Sequence, residues 1–147
     1  MSPVKQITII GAGFGALSTV RAIRQRDRQV AITLIAPKAE MHYLPGIIWI
    51  PCGLRKRDQL VVPLGPFFQR MNVRHVAAEV TGLENGGRRV LTSAGAIDND
   101  ALVIASGGRF IKKLPGIEHA ITPCEGIAAA EAIRDRLQAL QGGTIAV

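Results

Sequence analysis

Apolar and polar positions fall in blocks along this chain, and each block has its own period. Val4 to Ile10 is rich in β-branched residues and almost wholly apolar beyond Gln6, which predicts a strand buried on both faces. Glycines follow at once. Phe14 to Arg26 then reads as a helix, with Leu17, Val20 and Ile23 at helical spacing and Arg21, Arg24 and Gln25 on the other side. After a polar turn at Arg26 to Gln29, Val30 to Ile35 is a second buried strand. Strand, helix and strand in so short a span predict a βαβ unit.

The middle of the chain is less regular. Pro45, Pro51, Pro63 and Pro66 punctuate it, and Gly46, Gly53 and Gly65 loosen it. A short helix is predicted over Leu64 to Met71 and a strand over Val73 to Val80. A turn follows at Asn85-Gly86-Gly87, then a returning strand over Arg89 to Thr92. Ala94-Gly95 turns again, and Asp100 to Ala105 reads as a further strand, so residues 73 to 105 resemble an antiparallel meander leading into a core strand. A last helix is predicted over Pro123 to Gln141, with Ile127, Ala130, Ile133, Leu137 and Leu140 as its buried stripe and Gly142-Gly143 as its end. Residues 144–147 begin an apolar strand, which predicts the N-terminal portion of a longer protein, with residues 1–147 as one α/β domain.

The segment between the first strand and its helix carries the chemistry. Gly11-Ala12-Gly13-Phe14-Gly15-Ala16 matches G-x-G-x-x-A in the setting that gives this pattern meaning. Gly11 permits a tight turn, Gly13 lets the backbone approach a diphosphate, and Ala16 lets helix and strand pack closely. First-turn N–H groups and the positive helix end then bind the diphosphate with no charged side chain. The bland alternative is a glycine turn that merely packs. An acidic residue commonly ends the second strand and holds a ribose hydroxyl, but here Ile35 is followed by Ala36-Pro37-Lys38, and Glu40 lies beyond that position. This departure weakens simple NAD binding and leaves the ribose to backbone groups or water.

Composition narrows the partners. Hydrophobic residues make up 48% and charged residues 20%, enough to bury a core. Aromatics at 4% argue against a stacking surface for single-stranded nucleic acid. The net charge of +7 is spread over several short basic runs, among them Arg21 to Arg28 and Arg55 to Arg57. A solvated face is the first reading of that charge, an anionic membrane surface or acidic partner the second, and nucleic acid the last. Two cysteines, Cys52 and Cys124, do not make a disulfide framework. His42, His75 and His119 have no metal-ligand spacing. The N-terminus leaves no room for a signal peptide and no apolar run approaches a membrane span, so the expectation is a cytoplasmic protein, with peripheral membrane attachment left open.

Further segments carry a resemblance. Tyr43-Leu44-Pro45-Gly46-Ile47-Ile48-Trp49, then Gly53-Leu54-Arg55-Lys56-Arg57-Asp58, and Val103-Ile104-Ala105-Ser106-Gly107-Gly108 are similar to stretches of the sulfide:quinone oxidoreductases, within the two-dinucleotide-binding-domain flavoproteins. The resemblance covers essentially the whole chain. It implies a Rossmann-like FAD-binding domain with a parallel sheet and an antiparallel β-meander. It implies FAD as cofactor and sulfide and quinone as substrates. It places Pro45 and its neighbours beside the flavin, the backbone of Val80 at the adenine, and Ala105-Ser106-Gly107 near the diphosphate and ribityl chain; Ser106 stands where the family usually has Thr. A related flavocytochrome branch attaches FAD through a cysteine shortly after the second strand. Met41-His42-Tyr43 stands there in this chain, so non-covalent FAD is expected.

Thr122-Pro123-Cys124-Glu125 reads as a capping box, which puts Cys124 in a helical first turn where a thiolate is favoured. The alternative is a small buried residue under a loop. The resemblance implies a redox-active cysteine at this place, paired with a second one from a later part of the chain; no role follows for Cys52. Trp49 reads as a packing residue rather than a stacking platform. Two competing functions stay open: a type II NADH dehydrogenase, and a nucleotide-binding module without turnover.

Overall fold

A computed structural model of the chain describes residues 5–109 and 111–145. It divides into two compact units, Met1–Met41 with Pro63–Gly107, and His42–Val62 with Gly108–Val147.

The first unit is an α/β sandwich. Strands β1 (Gln6–Ile10), β2 (Ala31–Ile35), β5 (Val73–Val76) and β9 (Ala101–Ile104) form a parallel sheet in the order β5-β2-β1-β9. The register is in step along the strands, with Ile9 opposite both Leu34 and Val103. Helices α1 (Phe14–Arg26) and α2 (Gly65–Arg70) cover one side, where Ile9, Ile32 and Leu34 pack with Ala16, Val20 and Phe68. Full burial of each large aliphatic side chain contributes about 1.5–3 kcal/mol. An antiparallel meander packs elsewhere on the sheet: β6 (Val80–Glu84), β7 (Arg89–Thr92) and β8 (Gly95–Asp98). Its Val90 joins Ile10, Ile35 and Ala78 in a separate apolar cluster. Two-sided burial explains why β1 and β2 read as unbroken apolar runs. Strand β9 lies at the edge of the sheet, with Ile104 61% exposed.

The second unit is built from short turns around one helix. A 3-10 turn at Leu44–Trp49 and helix α3 (Ile127–Ala139) share a small core of Ile47, Ile50, Leu60, Ile127 and Ala130. Glu40–His42 (β3) and Val61–Pro63 (β4) pair as a two-stranded sheet where the chain leaves the first unit and returns to it.

Three expectations need correction. The strand predicted over Val73 to Val80 is two strands, β5 and β6, because the chain leaves the parallel sheet after Val76 and turns through 77–79 into the meander. The meander therefore spans Val80–Asp98, not residues 73 to 105, and includes β8, which the pattern missed because Ala96 and Ile97 are too short an apolar run. The helix predicted over Pro123 to Gln141 is interrupted: Pro123–Glu125 is a single 3-10 turn, Gly126 breaks it at φ 119° and ψ −178°, and α3 begins at Ile127. Within the predicted stripe Ile127 and Ala130 are buried, Ile133 is half-buried, and Leu137 and Leu140 are exposed. Thr144 and Ile145 are not in a strand, and Ala146 and Val147 lie outside the described residues.

One arginine of the basic run is not on a solvated face. Arg24 donates to four carbonyls: Met71 (2.7 Å), Val30 (2.7 Å), Asn72 (2.9 Å) and Asp27 (3.4 Å). It ties the end of α1 to the start of β2 and the end of α2. Asp27 caps the same corner, accepting from the N–H groups of Gln29 (2.7 Å) and Val30 (3.0 Å). Those two hydrogen bonds, and to a lesser degree Arg24, hold its carboxyl below the usual carboxylate range.

Arg24→Ala is expected to lower the unfolding free energy by about 2–3 kcal/mol in urea titration, because several carbonyls lose a charged donor. Arg24→Lys should recover only part of this, since an ammonium cannot span four acceptors. Asp27 contributes stability above the unfolded carboxylate pKa and loses it as pH falls through the lower folded value. The stability gap between wild type and Asp27→Ala should therefore be full at neutral pH and close as the pH drops below about 4. A gap that stays constant down to the acid limit would contradict the assignment.

Candidate functional site

The parallel sheet reverses its strand order at β1: β2 lies on one side and β9 on the other. In open α/β sheets, ligands bind beyond the carboxyl ends of the strands at such a reversal. The Gly11 turn leaves β1 at that place. Gly11 has φ 107°, which favours glycine, and its N–H donates to the Ile35 carbonyl at 2.9 Å. The Ala105 N–H donates to the Ile10 carbonyl at 2.8 Å. A Cβ at Gly11 would run into the Ala105 carbonyl, 2.7 Å from its carbon. A Cβ at Gly15 would sit 3.7 Å from the Ala105 side chain, and Ala16 is fully buried against the sheet.

Gly13 differs from its neighbours. Its backbone is extended (φ −86°, ψ −172°) and caps α1, yet a Cβ there would meet no atom within 4 Å. No side chain caps α1, and its first turn holds no acidic residue. A helix N-terminus with donors aimed outward and an open space where a side chain would stand suits an anionic group. Packing thus explains Gly11, Gly15 and Ala16, but not Gly13.

The fold brings together Gly11, Gly13, Phe14, Gly15, Ala16, Ile35, Ala36, Ala105 and Ser106 at the carboxyl ends of β1, β2 and β9. Pro37 is exposed just beyond β2. Glu40 starts β3 with Oε1 3.7 Å from Lys38 Nζ. Gly107 has φ 77° in the turn after β9. Val80 opens β6 opposite Thr92, and the preceding Glu79 is bonded through its N–H to Ser93 Oγ (3.1 Å) and through its carbonyl to the Ser93 N–H (2.9 Å).

The sequence pattern misses His75. Its Nε2 lies 3.0 Å from the Ala36 carbonyl, so that nitrogen carries the proton and donates, and its ring stacks on Phe68 at 5.2 Å. With the Ala36 N–H bonded to Val76 at 3.2 Å, this fixes the backbone just past β2. Only the register of β5 beside β2 reveals the contact, since nothing in the spacing of the histidines points to it.

Pro45 and Cys124 belong to the second unit. The Leu44–Trp49 turn leaves Tyr43, Leu44 and Ile48 exposed, with Trp49 at 47%, so Trp49 is not the packing residue the pattern suggests. The turn carrying Cys124 lies alongside it. Cys124 is exposed, which overturns the buried reading, and so is Cys52. Thr122 Oγ1 accepts from the Cys124 N–H at 3.3 Å, but Glu125 pairs with Lys112 at 2.8 Å instead of closing a capping box. A three-residue turn cut off by Gly126 also lacks the stacked peptides of a helix end, so the helical first turn expected around Cys124 is absent. Among the described residues no helix is long and apolar enough to cross a membrane.

Comparison with known proteins agrees with this geometry. The family model for pyridine nucleotide-disulphide oxidoreductases matches residues 5–147. The chain is 28% identical over 115 residues to the sulfide-quinone reductase of Aquifex aeolicus, covering 78% of this chain and 27% of that protein. It is 40% identical over 146 residues to an NADH dehydrogenase-like protein of Mycobacterium tuberculosis, covering 95% and 36%. The crystal structure of the Aquifex aeolicus sulfide:quinone oxidoreductase superposes with a TM-score of 0.83 at 26% identity, over 92% of this chain and 32% of that one. The chain thus spans about a third of the length of these relatives.

Two glycine substitutions separate packing from binding. Gly11→Ala should cost at least about 2 kcal/mol in denaturant titration, from left-handed backbone strain and collision with Ala105. Gly13→Ala should stay within about 1 kcal/mol of wild type, since the added methyl meets no protein atom. Equal destabilisation by both would show that Gly13 also serves packing.

Proposed function

The chain belongs to the pyridine nucleotide-disulphide oxidoreductase family, and on that premise we propose that it is the FAD-holding part of a sulfide:quinone oxidoreductase. The observation that carries the FAD reading is the open space at Gly13 beside an uncapped α1, next to a Gly11 wedged on Ala105. The residues present fit a dinucleotide. The Gly11–Ala16 backbone, with Phe14 and Gly15 in the first turn, would hold the diphosphate through N–H groups. Ala105, Ser106 and Gly107 would flank it. Ile35, Ala36 and Pro37 would meet the ribose through the backbone, with His75 keeping Ala36 in place, and the Val80 backbone would face the adenine. Pro45 beside the flavin rests on the resemblance alone.

A bound flavin supplies storage for one electron pair between sulfide and quinone. Cys124 would form a disulfide with a second cysteine from a later part of the protein. Attack of hydrosulfide on that disulfide would leave a persulfide on one cysteine and a thiolate on the other, and the electron pair would pass to the bound flavin. The exposure of Cys124 supports this role, because a disulfide that hydrosulfide attacks must be reached by substrate. Quinone as acceptor would bring the protein into peripheral contact with a membrane.

The second reading is a type II NADH:quinone oxidoreductase. It is favoured by the 40% identity to the Mycobacterium tuberculosis protein and by 31% identity over 119 residues to the Staphylococcus aureus enzyme of that name. Anaerobic titration separates the two. Sulfide should bleach the flavin absorbance under the first reading, and NADH under the second. Bleaching by neither would leave a nucleotide-binding module.

Gly13→Val is expected to purify folded but without flavin, with a melting curve close to that of wild type stripped of flavin. A wild type that takes up NAD but not FAD would sink the FAD assignment. Cys124→Ser should abolish sulfide-dependent quinone reduction and keep the flavin, whereas Cys52→Ser should leave turnover nearly unchanged. Wild-type turnover by Cys124→Ser would move the NADH reading ahead.

A further inference from the structure

We propose that the groove between α1 and α2 is a binding site for an anionic amphiphile, its phosphate or carboxylate held by Arg21 and Arg70 and its apolar body laid on Leu17, Met41, Phe67 and Met71. The groove lies wholly in the first unit and measures about 450 Å³, within the range of about 300–1,000 Å³ usual for small-ligand sites.

Helical spacing builds one wall. Phe14, Leu17, Ser18 and Arg21 recur at i, i+3, i+4 and i+7, so they share one face of α1. Helix α2 and the residue after it supply the opposite wall through Phe67, Arg70 and Met71. The Arg70 guanidinium stands over the Phe67 ring at 6.0 Å, which sets a cation beside the apolar wall.

Charge decides the ligand class. No carboxylate lines the groove, and among the described residues neither Arg21 nor Arg70 is in an ion pair. Arg24, one turn from Arg21, is consumed by backbone carbonyls, so a structural duty does not account for the other two. Guanidinium groups are weakly hydrated and bind phosphate or carboxylate through paired N–H donors. A neutral apolar ligand would leave both cations unused, and a bare anion would leave the thioether and aromatic walls exposed to water. A molecule that joins an anionic head to an apolar body uses both. The diphosphate proposed at Gly13 would be served by backbone N–H groups, so the two arginines stand independently of the FAD reading.

Titration calorimetry of the protein with dodecyl phosphate, kept below its micelle concentration, tests the proposal. One site is expected, at least tenfold tighter than for dodecyl maltoside or for inorganic phosphate. Arg21→Gln combined with Arg70→Gln should weaken binding at least tenfold, with melting curve and flavin content unchanged. On the wild type, dodecyl phosphate should protect Arg21 and Arg70 from phenylglyoxal, read by peptide mass spectrometry, which requires no variant to fold. Cosedimentation with phosphatidylglycerol vesicles but not phosphatidylcholine vesicles would identify the source as a membrane lipid. Binding of dodecyl phosphate without cosedimentation would identify a dissolved ligand, and either result supports the shared chemistry. Equal affinity for dodecyl phosphate and dodecyl maltoside, undiminished binding by the double variant, or no protection of the two arginines would overturn it.

Discussion

The absence of a side chain at Gly11 is the constraint on which the first unit depends. Strand β1 must end within touching distance of the chain that leaves β9, and only a residue without Cβ lets the Ala105 carbonyl come so close. The same residue then points its N–H at Ile35, so one position joins the carboxyl ends of three parallel strands. From that junction the first turn of α1 is aimed outward, and Gly13 is left facing open space. Packing fixes the first of two glycines two residues apart and leaves the second free for the binding role proposed for it, so a shift in register would put a side chain where Ala105 stands.

Much of this was legible in the sequence. The limits of α1 were predicted to the residue, and β1, β2 and β7 were recognised, because unbroken β-branched runs and a 3.6-residue stripe are strong local signals. The residues of the glycine turn were placed together for the same reason. What stayed hidden depends on tertiary partners. Val73 to Val80 carries no local mark of where it leaves one sheet for another, and Gly126 reads like any helix residue until its φ of 119° is seen. His75 and Arg24 gain their roles from carbonyls across the fold, and a carbonyl leaves no trace in composition.

The two units differ in how they hold themselves. The first has a sheet filled from two directions. The second relies on five buried residues, and most of its larger apolar side chains, Tyr43, Leu44, Ile48, Trp49, Leu54, Leu114 and Leu140 among them, face outward. Turns set by Pro45 and Gly53 and the Lys112–Glu125 pair supply much of its local order. An exposed ion pair of this kind contributes little by itself, about 0–1 kcal/mol. The thiol of Cys124 is therefore carried on a segment defined by short-range geometry rather than by a deep core, which would suit the substrate-facing role proposed for it.

The long reach from β1 to β9 has a consequence for how the protein is made. Gln6 and Asp100, bonded at one end of that pair, are 94 positions apart. Translation at about 5–20 residues per second leaves an interval of roughly 5–20 s between the emergence of one and of the other. Strands β1 and β2 can pair early in that interval, but the Gly11 turn has no Ala105 to rest against until its end. The cradle proposed for the cofactor is thus unfinished until β9 has emerged, and cofactor capture there would be timed by the arrival of a strand rather than by the glycine motif alone.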